Sequence, residues 1–190
     1  MAVHVGRHPS GVTTRVPGPT IRPAAAEDEG VIHALHARCF GDLFAGLLGD
    51  WVAPDEHRAE RERSWTGPIG SPRDRHALLL AEHRQCVVGF VAVGPTRDAD
   101  GDQRTTGELM AIMVDANQRG FGVGTALMAA GEGAMRAFGL AIATLRVVPE
   151  NTRAVGFYES CGWVLDGTQK RMSIGGHELT AARYQKTLGV

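Results

Sequence analysis

Cysteine is scarce in this sequence and has no paired spacing. Three residues, Cys39, Cys86 and Cys161, are scattered over 190 positions with no Cys-x-x-Cys among them. An odd, dispersed set supplies neither a disulfide framework nor a zinc knuckle, and a reducing cytoplasm is the compartment it suits. An excess of either charge is also missing: 20 Lys and Arg stand against 21 Asp and Glu, for a formal net charge of −1. Such a chain has no field with which to gather a polyanion or to sit on an acidic bilayer, so neither nucleic acid nor a membrane is expected as a partner. No apolar run approaches the roughly 20 residues that cross a hydrocarbon core. The N-terminus lacks the apolar stretch of a secretory signal, so a soluble protein is expected. Acidic residues themselves are absent before Glu27; residues 1–19, with Arg7 and Arg15 among Gly, Pro, Ser and Thr, read as a flexible basic arm.

What remains, residues 20–190, is long enough to bury one core and reads as a single domain. Thr20 to Pro23 reads as a short strand. Glu27 to Cys39 follows as a helix with Val31, Ile32, Leu35 and Cys39 on one face. Gly41 to Ser71 mixes apolar residues with a charged stretch and suggests one or two further helices. The apolar runs Ala77–Ala81 and Val87–Val93, separated by the polar Glu82-His83-Arg84-Gln85, form a hairpin. A strand is expected over Glu108–Val114 and a helix over Thr125–Phe138 stopped by Gly139. A strand over Leu140–Val148 and a helix capped by Asn151 or Thr152 come next, and two closing strands end the order.

Between the strand ending at Val114 and the helix beginning near Thr125 lies Gln118-Arg119-Gly120-Phe121-Gly122-Val123-Gly124-Thr125. Glycines allow close approach of a ligand to the main chain, and the first amides of a helix have no internal partners, so the segment suits a phosphate. A dinucleotide turn would need Gly-x-Gly-x-x-Gly, but counting from Gly120 the last position is Thr125, and from Gly122 it is Leu127. A P-loop would need Lys and then Ser or Thr after its last glycine, where Thr125-Ala126 stands. Redox chemistry on a dinucleotide fold and nucleotide hydrolysis are thereby set aside.

The same residues match Gln/Arg-x-x-Gly-x-Gly/Ala, with Arg119, Gly122 and Gly124 at the defining positions, and so resemble the GNAT acyltransferase superfamily. Asn151 to Trp163 adds a second match, similar to that family's Asn…Ala…Phe-Tyr…Gly-Phe segment with Trp163 in place of the usual Phe. The resemblance runs from Ile21 to about Leu188. It implies an α/β three-layer fold, a mixed, largely antiparallel sheet of about seven strands with helices on both faces. It also implies transfer of an acetyl group from acetyl-CoA to a primary amine by direct attack in a ternary complex, without a metal.

By the same resemblance, the amides from Arg119 through Gly120, Phe121, Gly122, Val123 and Gly124 to Thr125 hold the coenzyme A pyrophosphate, and Asn151 contacts the cofactor. The strand bearing Ile112, Met113 and Val114 pairs with the pantetheine arm. A bulge there frees main-chain donors, one of which, at Met113, faces the thioester oxygen. Tyr158 protonates the departing thiolate, a role that suits a phenol. Glu108 is the candidate general base, because only the unprotonated amine is a nucleophile, and Asp115 is a weaker alternative.

Other residues carry less. His33 and His36 lie three apart on a helix without a third ligand, and Cys161 has no neighbouring His to activate it. Asp42, Asp50, Trp51, Asp55, Glu56 and Trp65 can attract and stack on a cation, with Arg58, Arg61 and Arg63 opposing. Small amines and protein N-termini both stay open as acceptors, and a homodimer is implied by resemblance only. A domain that binds acyl-CoA without turnover is the competing function.

Overall fold

The computed structural model describes residues 18–48, 74–174 and 177–189. Within them the chain runs β1 (Thr20–Pro23), α1 (Glu29–Leu48), β2 (Ala77–His83), β3 (Cys86–Pro95), β4 (Thr106–Val114), α2 (Val123–Ala137), β5 (Ile142–Val147), α3 (Thr152–Ser160), β6 (Val164–Ile174) and β7 (His177–Thr187). The strands form one seven-stranded sheet in the order β1-β2-β3-β4-β5-β7-β6. Only β4 and β5 run parallel; every other neighbouring pair is antiparallel.

Alternation along the strands sends side chains to two cores. Val91, Val93, Leu109, Ala143, Leu145 and Val147 pack with Leu127 and Met135 of α2, with Tyr158 of α3 and with Trp163. On the other face Leu80, Phe90 and Ala92 pack with Ile32, Leu35 and Cys39 of α1. The α2 side also buries one charge. Glu132 is 6% exposed and accepts Lys186 Nζ on both oxygens, at 2.7 and 2.9 Å, and Trp163 Nε1 at 3.2 Å. Lys186 Nζ donates to the Cys161 carbonyl at 2.7 Å as well, so one ion pair joins α2, the end of α3 and β7.

Strands and later helices fall within a few residues of expectation. The first helix does not. It begins two residues late because Ala26–Asp28 form a 3-10 turn, in which the Asp28 carboxylate accepts the Ala25 N–H at 2.8 Å and a two-pronged ion pair from Arg22. It continues through Gly41 and Gly46 to Leu48 as one helix. A glycine costs a helix about 1 kcal/mol but does not oblige it to stop. The remainder of the helical region expected up to Ser71, residues 49–73, lies outside the described residues, as do residues 1–17 of the expected arm.

The β2–β3 hairpin turns on Arg84 and Gln85, at φ of +51° and +64°. Two left-handed positions match the twist of a hairpin but burden side chains with a Cβ. Replacing Gln85 with Gly is expected to raise stability by roughly 0.5 kcal/mol, read as a higher urea midpoint with an unchanged slope.

Candidate active site

The parallel pairing of β4 with β5 covers only Thr106–Glu108 against Ile142–Thr144. Beyond that point β4 continues to Val114 and β5 to Val147 without facing each other in register, so the sheet opens between them. On its other side β4 carries a bulge. Leu109 pairs with Val93 and Ala111 with Ala92, which leaves Met110 as the extra residue.

This register decides which amides face the opening. Val114 stands opposite Gly89, and the next residue, Asp115, donates its N–H to the Val88 carbonyl at 2.9 Å. Hydrogen-bonded and non-bonded pairs alternate along an antiparallel ladder, so Met113 opposite Phe90 is again a bonded pair. The Met113 N–H is therefore directed at β3, which corrects the expectation that it faces a thioester oxygen. The amides of Ile112 and Val114 point to the open edge instead. The Val114 carbonyl confirms the alternation: it accepts Arg119 Nε at 3.1 Å and the Cys39 thiol at 3.5 Å, neither of which belongs to β3.

At the end of β4 the chain makes a 3-10 turn, capped by the Asp115 carboxylate on the Asn117 N–H at 3.1 Å, and enters the glycine segment. Asp115 also pairs with Arg38 at 3.3 Å, so this alternative base is already engaged. Gly120 and Gly122 both adopt φ of +81°, the left-handed region in which a side chain is strained. Gly122 is the residue before α2, and the first helical bond runs from Ala126 N–H to its carbonyl. The N–H groups of Val123, Gly124 and Thr125 thus have no partner within the helix, and the positive end of its dipole adds to them. The Arg119 side chain points elsewhere, back to Val114 and to Asp42 at 3.7 Å, and braces the turn against α1.

Across the opening, Asn151 caps α3 by accepting the Ala154 N–H at 3.3 Å, which leaves its amide nitrogen out of the cap. Tyr158, about two turns further, is 8% exposed and packs in the core on the α2 side. Burial pushes its hydroxyl up from 10.0 to about 12, so it holds its proton throughout the neutral range. Tyr184 fixes the same helix by donating to Glu159 at 3.2 Å.

Glu108 stands at the root of the opening and is 8% exposed. Its register partners are Gly94 on β3 and Thr144 on β5. One oxygen accepts the Arg97 backbone N–H at 3.0 Å and Nε at 2.9 Å; the other accepts Nη2 at 2.5 Å. The carboxylate in turn raises the Arg97 guanidinium above its usual value. The next residue, Asp98, receives Arg146 of β5 at 2.7 Å and Arg183 of β7 at 3.3 Å, and Arg183 reaches Asp166 at 2.6 Å. Arg97 escaped the sequence reading because it meets Glu108 only across the β3–β4 connection. Neither spacing nor periodicity marks that contact. Of the expected cation-attracting residues only Asp42 is described; Asp50, Trp51, Asp55, Glu56 and Trp65 lie outside the described residues.

Among the described residues no three His, Cys, Asp or Glu side chains gather closely enough to hold a metal ion, and no helix is long and apolar enough to cross a membrane. The three cysteines are free thiols.

Comparison with known proteins bears on this geometry. Residues 32–163 match the model of the acetyltransferase (GNAT) family. The mycothiol acetyltransferase of Thermobispora bispora is 35% identical over 86% of this chain and 51% of its own length, and that of Acidothermus cellulolyticus is 33% identical over 83% and 47%. The chain thus spans about half the length of the curated relatives it matches. Among solved structures, a phosphinothricin acetyltransferase from Sinorhizobium meliloti in complex with AcCoA superposes with a TM-score of 0.65 at 21% identity, covering 91% of this chain and 90% of that one. A ribosomal-protein-alanine N-acetyltransferase from Brucella melitensis gives 0.64 at 23%, covering 88% and 99%. At those identities the superpositions show the fold.

Proposed function

Since the chain belongs to the GNAT acetyltransferase family, we propose that it transfers an acetyl group from acetyl-CoA to a primary amine by direct attack in a ternary complex. The observation that carries this is the opening between β4 and β5, which lies beside the glycine turn and has a buried phenol on one face of the sheet and a buried carboxylate on the other. The pyrophosphate rests on the amides from Arg119 to Thr125, and the pantetheine arm lies along the free edge of Ile112 and Val114. Either of those two amides can donate to the carbonyl oxygen as it gains charge. Asn151 lends its amide nitrogen to the cofactor.

Attack and departure then occur from opposite faces. The amine comes from the α1 face, where Glu108 supplies negative charge. The thiolate leaves toward Tyr158, whose proton it takes. If Glu108 also takes the proton of the amine, it uses the lone pair on Oε1 that Arg97 leaves open. The acceptor is a small amine or a protein N-terminus.

Acetyl-CoA at about 100 times its dissociation constant is expected to stabilise the protein by about 2.7 kcal/mol in a thermal melt. Free thiol should then appear when alkylamines, polyamines, amino-acid amides or short peptides are added. Stabilisation without thiol release across the panel would favour a binding domain over an enzyme, and no stabilisation would remove the coenzyme reading. Gly122→Val should weaken acetyl-CoA binding at least tenfold, because a β-branched residue at φ +81° reshapes the turn that presents the amides. Unaltered affinity in that variant would displace the phosphate site.

A further inference from the structure

Arg97 engages three of the lone pairs of the buried Glu108 carboxylate, which leaves one, on Oε1, to hold an ammonium and makes this carboxylate a better anchor for the amine than an acceptor of its proton. His76 stands on the same α1 face. It lies immediately before β2, half-buried, with its ring over Gly94. A Cβ at position 94 would come within 2.8 Å of His76 Nε2 and within 2.8 Å of Met110 Cε, so the ring occupies the space that a side chain there would fill. Gly94 is the register partner of Glu108. Opposed residues of an antiparallel pair project to the same face with Cα atoms about 5 Å apart. Met110 is the bulged residue of β4. The ring is therefore level with the point at which the sheet opens, beside Glu108 and the bulge.

The tautomer is set as well. His76 Nδ1 lies 2.7 Å from the Asp74 carbonyl oxygen, which can only accept, so Nδ1 carries the hydrogen and in the neutral ring Nε2 keeps its lone pair. The atom that faces Gly94 is thus the basic one.

Building on the acyl-transfer reading, we propose that His76 is the general base, with Glu108 holding the ammonium beforehand through the open lone pair of Oε1. Two protons leave the nitrogen in one turnover. The first passes from the ammonium to His76 Nε2, freeing the electron pair that forms the N–C bond as the carbonyl pair moves to oxygen, and the imidazolium then yields that proton to water. Collapse of the adduct breaks the C–S bond. The second proton leaves the adduct nitrogen for water during that collapse, Tyr158 gives its proton to the thiolate and recovers one from water, and the turnover releases one proton net.

The test uses thiol release from acetyl-CoA with whichever panel amine the wild type turns over fastest. His76→Ala and His76→Gln are each expected to lose about 100-fold or more in kcat/KM, with the thermal shift by acetyl-CoA retained. Added imidazole should restore part of the activity to His76→Ala, where the ring has left space beside Gly94, and none to His76→Gln, where the space is filled. Glu108→Gln, by contrast, should act mainly through a raised KM for the amine. Full activity in both His76 variants, or a loss in His76→Ala that imidazole does not relieve, overturns the assignment while leaving acetyl transfer in place. A wild type that acetyl-CoA does not stabilise removes acetyl transfer itself and the assignment with it.

Discussion

Tyr158→Phe is expected to slow turnover by about 100-fold or more while leaving the thermal shift produced by acetyl-CoA almost unchanged. The substitution removes one hydroxyl from a ring that keeps its place in the core, so what it deletes is a proton donor and little else. Among the described residues that hydroxyl has no hydrogen-bond partner, so no buried group is left unsatisfied by its loss. The sign of the pH effect follows from burial. A phenol pushed up from 10.0 to about 12 in the folded protein stays the donor form well past the neutral range, so Tyr158 puts no alkaline limb on the rate profile there. Stability follows the same pair of values. The folded state favours the protonated ring, a contribution fully present below pH 10.0 and lost as pH rises toward about 12. Turnover in Tyr158→Phe equal to the wild type would take the residue out of the mechanism.

The largest effect on folding is expected from Glu132→Ala. The wild-type carboxylate answers Lys186 and the Trp163 indole at once, under a helix and 6% exposed. Removing one partner of a buried pair leaves the other charge uncompensated, a loss of about 3–5 kcal/mol. Because the Lys186 side chain keeps 24% of its exposure, water can relieve part of that, and the lower end applies. About 3 kcal/mol lowers the melting temperature of a chain this size by roughly 6–12 °C. Glu132→Gln, which keeps an acceptor for both donors, should lose less. A melt of Glu132→Ala within a degree or two of the wild type would show that the pair contributes nothing net.

Much of this architecture could be read from the chain because the informative signals are local. Alternating apolar runs mark β2, β3 and β4, a glycine stops α2 at Gly139, and Asn151 caps α3 as its side chain predicts. The glycine turn was legible for the same reason: Gly120 and Gly122 are needed where φ is +81°. What escaped depends on register. Whether Met113 or Ile112 faces the opening is settled by a single extra residue at Met110, and no composition announces on which strand or at which step a bulge falls. The Arg97–Glu108 clamp and the His76 ring over Gly94 are likewise meetings of residues distant in sequence. Asp115 looked available in the sequence and is in fact held by Asn117 and Arg38.

Three residue pairs join β4 to β5, and on either side of that seam stand two well-paired blocks, β1 to β4 and β5 with β7 and β6. Mechanically the sheet is two plates on a short weld. A pantetheine chain seated along the rest of the gap would act as a temporary strut between the plates, stiffening the protein for the length of one reaction cycle. On the proposed function, release of the thiol product would remove that strut and leave the pairs of Thr106–Glu108 with Ile142–Thr144 as the seam between the plates.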